Sequence, residues 1–225
     1  MIITIDGPVA SGKSTVGRML AHRLNYYYLC SGLLYRALGY VLVNHGGYTL
    51  EMLPGVTQKD IDSVFYTACF SYHYDESNNE GIFFDNKNIT QFLKDRSVDK
   101  IASIVSVNNE VRHWITKMQH DIAAHHNIVT DGRDVGSVVF PHADYKFFIT
   151  ASVEVRAERW RKDQEKYGNI FSLQEAISII TDRDERDKTR TIAPLIVPTG
   201  AITIDTSDLN VEQTIEKVLE YIQAA

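Results

Sequence analysis

The chain of 225 residues contains only two cysteines, Cys30 and Cys69, and no Cys-x-x-Cys pair. A disulfide framework or a zinc cluster needs more thiols at closer spacing, so both are expected to be small buried residues in a reducing compartment. Long hydrophobic runs are also missing. The longest candidate, Leu33 to Val43, is interrupted by Arg36, well short of the about 18–20 apolar residues that cross a bilayer. Basic excess is absent as well: the net charge is -6 and the pI near 5.7. Wrapping DNA or RNA calls for a basic face, so a general nucleic-acid or membrane partner is disfavoured, while a local basic pocket for one phosphorylated ligand stays open. Met1-Ile2-Ile3-Thr4-Ile5-Asp6 lacks the basic region and cleavage site of a signal peptide and reads as a strand. A cytoplasmic monomer is expected, no apolar seam being apparent.

What remains is ordinary for a globular chain, 44% apolar and 23% charged. No repeat or low-complexity tract appears. Short β-rich runs at Ile2–Ile5, Asn127–Thr130, Lys146–Thr150 and Ala201–Asp205 alternate with helical stretches, which predicts an α/β fold with a mostly parallel central sheet. Ser172 with Glu175 and Asn210 with Gln213 mark helix starts. Val211, Ile215, Val218, Leu219 and Ile222 form one apolar stripe on the last helix. Two segments break the alternation. Runs at Ala68–Tyr74 and Ile82–Phe84, joined through Asn78-Asn79-Glu80-Gly81, predict a hairpin. The stretch from Glu154 to Arg190 is dense in charge of both signs and predicts two helices around Tyr167-Gly168-Asn169.

Gly7-Pro8-Val9-Ala10-Ser11-Gly12-Lys13-Ser14 fits the phosphate-loop pattern GxxxxGK[ST], directly after an apolar strand and before the amphipathic stretch Thr15–Leu24. That context suits the chemistry. Glycines let backbone amides turn toward a phosphate chain, and the helix N-terminus adds positive potential. Lys13 would reach the β- and γ-phosphates of ATP, and the Ser14 hydroxyl would ligate Mg2+. The loop says nothing about the acceptor. A guanine-reading N-K-x-D element is missing, which argues against a GTPase.

Further along, Ser31-Gly32-Leu33-Leu34-Tyr35-Arg36 follows the first helix, and Thr130-Asp131-Gly132-Arg133-Asp134 lies at the carboxyl end of an expected strand, where open α/β sheets bind ligands. Arg183, Arg186 and Arg190 are spaced to share one helix face, with Asp184 and Asp187 on a neighbouring one. Taken alone, these charges read more readily as helix-surface pairs such as Arg183 with Asp187 and Asp182 with Arg186. Another small P-loop kinase, or an ATP-binding regulatory module, stays open at this level. His113, His120, His125 and His126 lack carboxylate or cysteine partners at ligand spacing and read as surface residues. Tyr26-Tyr27-Tyr28 reads as core or strand packing.

In order and at compatible spacing, Ile5-Asp6-Gly7-Pro8 with its loop, Ser31-Gly32 to Tyr35-Arg36, Ile101-Ala102-Ser103, Val111-Arg112, Asp131-Gly132-Arg133-Asp134, Val138-Val139-Phe140-Pro141, Arg183-Asp184-Glu185-Arg186-Asp187, Arg190 and Ala193-Pro194-Leu195 make the chain resemble the bacterial cytidylate kinase family along nearly its whole length. The resemblance implies a three-layer P-loop kinase fold with an inserted antiparallel three-stranded domain for the monophosphate, about 62–97, a helical lid at 154–190, and a core of 1–61, 98–153 and 191–225. It implies phosphoryl transfer from ATP, with Mg2+, to CMP or dCMP in pyrimidine nucleotide metabolism. Gly7, Pro8, Val9, Ala10, Ser11, Gly12, Lys13, Ser14 and Thr15 would bind ATP. Ser31, Arg36 and Arg133 would hold the acceptor phosphate; Ser103, Arg112 and Asp134 would read cytosine; Arg183 and Asp187 would contact the sugar. Arg190, Arg156 and Arg159 would sit near the phosphates or ATP, with Lys13, Arg133, Arg183 and Arg190 assisting transfer.

Two positions depart from the family pattern. Cys30 stands where an aspartate usually precedes the Ser-Gly pair, and Lys94 where a second arginine follows the hairpin. The first removes a carboxylate, and the second keeps the charge but loses the bidentate fork. Retained activity with weaker acceptor or magnesium binding is expected.

Overall fold

The computed structural model describes residues 1–223 except 67, 68, 76 and 78. In chain order the elements are β1 (Ile2–Asp6), α1 (Lys13–Leu24), β2 (Tyr27–Cys30), α2 (Ser31–Asn44), α3 (Gln58–Phe65), β3 (Phe70–Tyr74), β4 (Glu80–Phe84), β5 (Lys87–Asn88), α4 (Arg96–Val105), α5 (Asn109–Ala123), β6 (Ile128–Gly132), β7 (Tyr145–Thr150), α6 (Val153–Glu165), α7 (Leu173–Thr189), β8 (Ile202–Asp205) and α8 (Val211–Gln223). They divide into two units, residues 26–128 and the remainder.

In the unit built from 1–25 and the chain beyond 128, the strand order is β6-β1-β7-β8. β1 runs parallel to β7 and β7 to β8, with Ile5 opposite Phe147 and Phe147 opposite Ile202. Ile3, Ile5, Phe147 and Ile149 are fully buried. Such apolar, β-branched or aromatic runs fit a sheet that meets water on neither face. The expected helix starts are present. Ser172 and Glu175 exchange side-chain and backbone bonds in a capping box on α7, and Asn210 and Gln213 do so on α8 at 2.9 Å each. On α8 the stripe is centred on Thr214, Ile215 and Val218, while Val211 is exposed. Arg190 departs from the expected helix face. α7 ends at Thr189, and Arg190 takes an extended conformation (φ -61, ψ 138), so its side chain leaves the helix surface.

In the second unit, β3 and β4 form the expected antiparallel hairpin, with Tyr72 opposite Ile82, and β5 adds a short third strand. Ala68 and Asn78 of that expectation lie outside the described residues. The aromatic run Tyr26-Tyr27-Tyr28 leads into β2, an additional strand. Cys69 is exposed rather than buried; it precedes β3, where its carbonyl accepts the Asp85 N–H at 2.8 Å. Helix α2 approaches α4 closely at Gly39, where an added Cβ would meet Ile101 Cγ2 at 2.5 Å.

The turn leaving β1 is the tightest point in the first unit. A Cβ on Gly7 would lie 2.0 Å from the carbonyl oxygen of Ile149, a backbone atom that no rotamer change can move. Gly7→Ala is therefore expected to destabilise the fold by at least the about 1–3 kcal/mol typical of overpacking, read as a lowered melting midpoint. An unchanged midpoint in a thermal-unfolding measurement would refute this reading of the β1–β7 contact.

Candidate active site

Where β1 ends, the chain turns through the glycine-rich loop into α1. The N-cap of α1 is Gly12, in the left-handed region (φ 91), and contributes no side-chain cap. The amides of the first turn are thus left for an external acceptor, the usual basis of anion binding at a helix start. Lys13 and Ser14 occupy that turn, two residues earlier than the helix expected from Thr15. Lys13 is buried, and its Nζ donates to the Pro8 carbonyl at 3.0 Å. Burial lowers its pKa to about 7; Arg133 and Arg183 push in the same direction, opposed by Asp131 and Asp187. The Ser14 hydroxyl donates to Asp131 Oδ2 at 2.6 Å, which joins the phosphate loop to the end of β6.

The segment after β6 is fixed from below by Asp6. Its buried carboxylate accepts the Val135 N–H at 2.9 Å and the Gly136 N–H at 2.7 Å. Arg133 and Asp134 are thereby presented next to the end of α7. Arg133 Nε donates to Asp187 Oδ2 at 2.8 Å, and Arg190 donates to Asp134 Oδ1 at 3.1 Å and to the Ala193 carbonyl at 2.7 Å. Asp187 thus pairs with Arg133 rather than serving only as a helix-surface partner. Burial pushes its pKa upward, but Arg133, Arg183 and Arg190 together bring it below the usual carboxylate range. Arg186 Nε, for its part, donates to the Asp182 backbone carbonyl at 3.2 Å.

Arg156 and Arg159 both come from α6 and touch the loop backbone. Arg159 donates to the Ser11 carbonyl at 3.3 Å and to Thr206 Oγ1 and O at 3.0 and 2.8 Å. Arg156 donates to the carbonyls of Val9 (3.1 Å) and Ala151 (3.0 Å) and pairs with Asp184. Sequence reasoning assigns no role to Asp184, Asp6 or Thr206. Asp184 stands inside the charged run 183–187, but its partners lie far away in sequence, so spacing alone carries no signal.

The second unit carries the other expected residues. Ser31 is buried in the first turn of α2, whose N-cap, Cys30, makes no side-chain cap bond. Tyr72 on β3 steadies this turn: its hydroxyl accepts the Cys30 N–H at 3.2 Å and donates to the Tyr28 carbonyl at 3.0 Å. Arg36 Nε donates to Asp99 Oδ1 at 2.7 Å. Ser103 lies one turn beyond Asp99 on α4 and is half-buried. Arg112 is buried, with its guanidinium 5.6 Å from the Tyr35 ring centre and Nη1 donating to the Ser106 carbonyl at 3.0 Å. Lys94 closes a short 3-10 turn and is exposed. Of the histidines, His126 stacks on Tyr27 at 4.4 Å and His125 Nδ1 bonds the Asp121 carbonyl at 2.8 Å.

A parallel sheet ending in a phosphate loop, with a buried lysine and a serine bound to the carboxylate of the neighbouring strand, defines a P-loop phosphotransferase. Solved structures share this fold at low sequence identity. The shikimate kinase of Bacteroides thetaiotaomicron matches with a TM-score of 0.51 at 14% identity, over 99% of this chain and 98% of that one. An uncharacterised protein from Eubacterium ventriosum matches with a TM-score of 0.52 at 13% identity, over 100% and 99%. In sequence, the family model described as cytidylate kinase matches residues 3–224. The chain is 40% identical over 223 residues to the cytidylate kinase of Chlamydia felis, covering 99% of this chain and 98% of that one. It is 37% identical over 223 residues to that of Caldanaerobacter subterraneus subsp. tengcongensis, covering 98% and 94%. The chain belongs to the cytidylate kinase family.

The buried carboxyl of Asp6 gives a pH signature. Burial raises its pKa from 3.8 to about 7 against the opposing pull of the Gly136 and Val135 amides and of Lys13, while Asp134 raises it further. Between those two values the folded state holds a proton that the unfolded state releases, so stability from this group falls as pH rises through the window. Melting midpoints taken from about pH 5 to about pH 8 should therefore move against the wild type relative to Asp6→Asn, which cannot titrate. Parallel curves would rule out the titration.

Proposed function

We propose that the protein transfers the γ-phosphoryl group of ATP to CMP or dCMP, giving ADP and CDP or dCDP. The observation that carries this reading is the cluster formed by buried Lys13, the Ser14–Asp131 pair and the Arg133–Asp187 and Arg190–Asp134 pairs, in a chain of the cytidylate kinase family. The loop from Gly7 to Thr15 binds the triphosphate through its amides. Lys13 exchanges the Pro8 carbonyl for the β- and γ-phosphate oxygens. The donors near the loop suit magnesium, since the Ser14 hydroxyl and Asp131 carboxylate are hard oxygen ligands. Ser14 would hold Mg2+ directly, with Asp131 orienting that hydroxyl; the bound ion supplies charge neutralisation on the phosphates.

On the second unit, Ser31 and Arg36 are assigned to the acceptor phosphate, and Ser103 and Arg112 to the base. On the first, Arg133 is assigned to the same phosphate, Asp134 to the exocyclic amine, and Arg183 and Asp187 to the sugar. Arg190 neutralises charge on the transferred group, and Arg159 shapes the ATP end through Ser11 and Thr206. Residues 62–97 form the monophosphate-binding insertion and 154–190 the lid. The acceptor oxygen is a phosphate oxygen, largely ionised near neutrality, so alignment and charge neutralisation carry the rate rather than a general base. Cys30 leaves the first turn of α2 without a side-chain acceptor competing for its amides, which is compatible with anion binding there.

Coupled ADP release measured with CMP, dCMP, UMP and AMP should show turnover favouring the two cytidine nucleotides. Lys13→Ala is expected to cut kcat by about 10³-fold or more while leaving the melting midpoint close to that of the wild type. No turnover with CMP would overturn the acceptor assignment, and a near-normal Lys13→Ala rate would overturn the mechanism.

A further inference from the structure

The phosphate loop must keep most of its amides open to a ligand, which leaves the question of what holds its shape. At Val9 both backbone groups are occupied from outside the loop. The Val9 N–H donates to Asp184 Oδ1 at 3.0 Å, and the Val9 carbonyl accepts from Arg156 Nη1 at 3.1 Å. The two side chains close the ring through their own ion pair, and both are nearly excluded from water, at 9% and 6% side-chain exposure. Around this polar clamp the Val9 side chain packs with Ala157, Ala176 and Ile180, with Val153, Trp160 and Ile177 alongside. Immediately after Val9, Ala10 adopts a left-handed backbone (φ 57). A non-glycine residue holds such a conformation only where its surroundings over-determine it.

We infer that Asp184, acting through Val9 and together with Arg156, is a positioning residue that holds the phosphate loop in its ATP-binding conformation by keeping Ala10 left-handed. It touches no substrate atom. Its two carboxylate oxygens are divided between the loop amide and the guanidinium, so its work is done on the backbone before ATP arrives. The base of α6 and the carboxyl-terminal part of α7 therefore belong to the ATP half of the site. Any closing motion within 154–190 has to act around this anchored base. The inference rests on the proposed ATP chemistry of the loop and extends it to residues outside the loop.

The test compares the wild type, Asp184→Asn, the double variant Asp184→Leu/Arg156→Met, and that double variant with Ala10→Gly added. Each is measured by Mg·ATP calorimetry, melting midpoint, and KM for ATP and for CMP. Removing a whole buried ion pair is often near neutral for stability, so the double variant should keep its fold. Its Mg·ATP Kd and KM for ATP should rise about tenfold or more, as expected for a misplaced binding element, with KM for CMP changed by less than about twofold. Asp184→Asn keeps one oxygen for the Val9 amide and should show the same split at smaller size. Ala10→Gly should recover part of the lost affinity, because glycine takes the left-handed conformation without steric cost.

A folded double variant that binds Mg·ATP like the wild type would overturn the inference. So would equal losses for both substrates, or no recovery on adding Ala10→Gly. Should the double variant fail to fold, Asp184→Asn decides by the same KM split. Wild-type protein that gives no heat with Mg·ATP would overturn the proposed function itself, and the inference with it.

Discussion

A phosphate loop has to satisfy two opposed demands. Its amides must point at a ligand that is not always present, so they cannot be spent on the loop's own hydrogen bonds, yet a buried backbone without partners is costly. Here the remaining groups are gripped from outside. Val9 is held at both its N–H and its carbonyl, and the Ser11 carbonyl receives Arg159 and the Thr206 hydroxyl. The Pro8 carbonyl receives Lys13, and the Ser14 hydroxyl is anchored on Asp131. Apart from that of Lys13, which comes from the first turn of α1, these contacts come from α6, α7, the end of β6 and the segment after β8. The first unit thus holds one short turn from several sides while leaving the amides of the α1 first turn without a side-chain cap.

Features set by neighbours in sequence are legible in the chain itself. The loop motif, the capping boxes at Ser172 and Asn210, the hairpin of β3 and β4, and the two helices around Gly168 all depend on spacings of a few residues. Partners distant in sequence leave no such trace. Asp184 lies 175 residues from the amide it accepts and 28 from Arg156, and no local pattern separates it from its neighbours in the charged run. Thr206 and Asp6 are similar cases: both are ordinary polar residues at strand ends whose partners, Ser11 and Arg159 for one and the Val135 and Gly136 amides for the other, are distant in sequence. Strand β2 is hard to read because its tyrosines fit packing in either a core or a strand. Spacing makes Arg190 a third member of a helix face, and this fails because α7 stops one residue earlier. Its extended backbone instead turns the guanidinium toward Asp134 and the Ala193 carbonyl.

The same division holds for the assigned residues of the second unit. Their presence is readable from order and spacing, but their mutual support is not. Ser31 depends on a turn steadied by Tyr72, a residue of the small sheet that the motifs do not single out. Arg36 is set by Asp99, and Arg112 by the Tyr35 ring and a carbonyl of the preceding turn. For the two arginines, a long side chain is held by a partner that is not itself a proposed ligand. That arrangement lowers the entropy lost when a phosphate or base is bound.

The two ion pairs at the end of α7 follow from the same logic. Lys13, Arg133, Arg183 and Arg190 gather in one region: burial is the main cause of the lowered pKa of Lys13, with Arg133 and Arg183 pushing the same way, and Arg133, Arg183 and Arg190 all act on Asp187. Without counterions this group of cations would oppose folding. Asp187 on Arg133 and Asp134 on Arg190 supply the missing negative charge and hold each guanidinium in a defined direction. A ligand phosphate offers a guanidinium the same kind of charge-assisted acceptor as a carboxylate, and it can take two N–H groups at once. In the proposed reaction, ligand phosphates therefore replace carboxylates at arginines that are already desolvated. Much of the cost of burying those cations is offset within the fold by their carboxylate partners. Under that proposal Asp134 and Asp187, once released, would accept from the base and the sugar, the roles proposed for them. One set of carboxylates thus holds the arginines in the folded protein and, in the proposed reaction, would accept from the nucleotide.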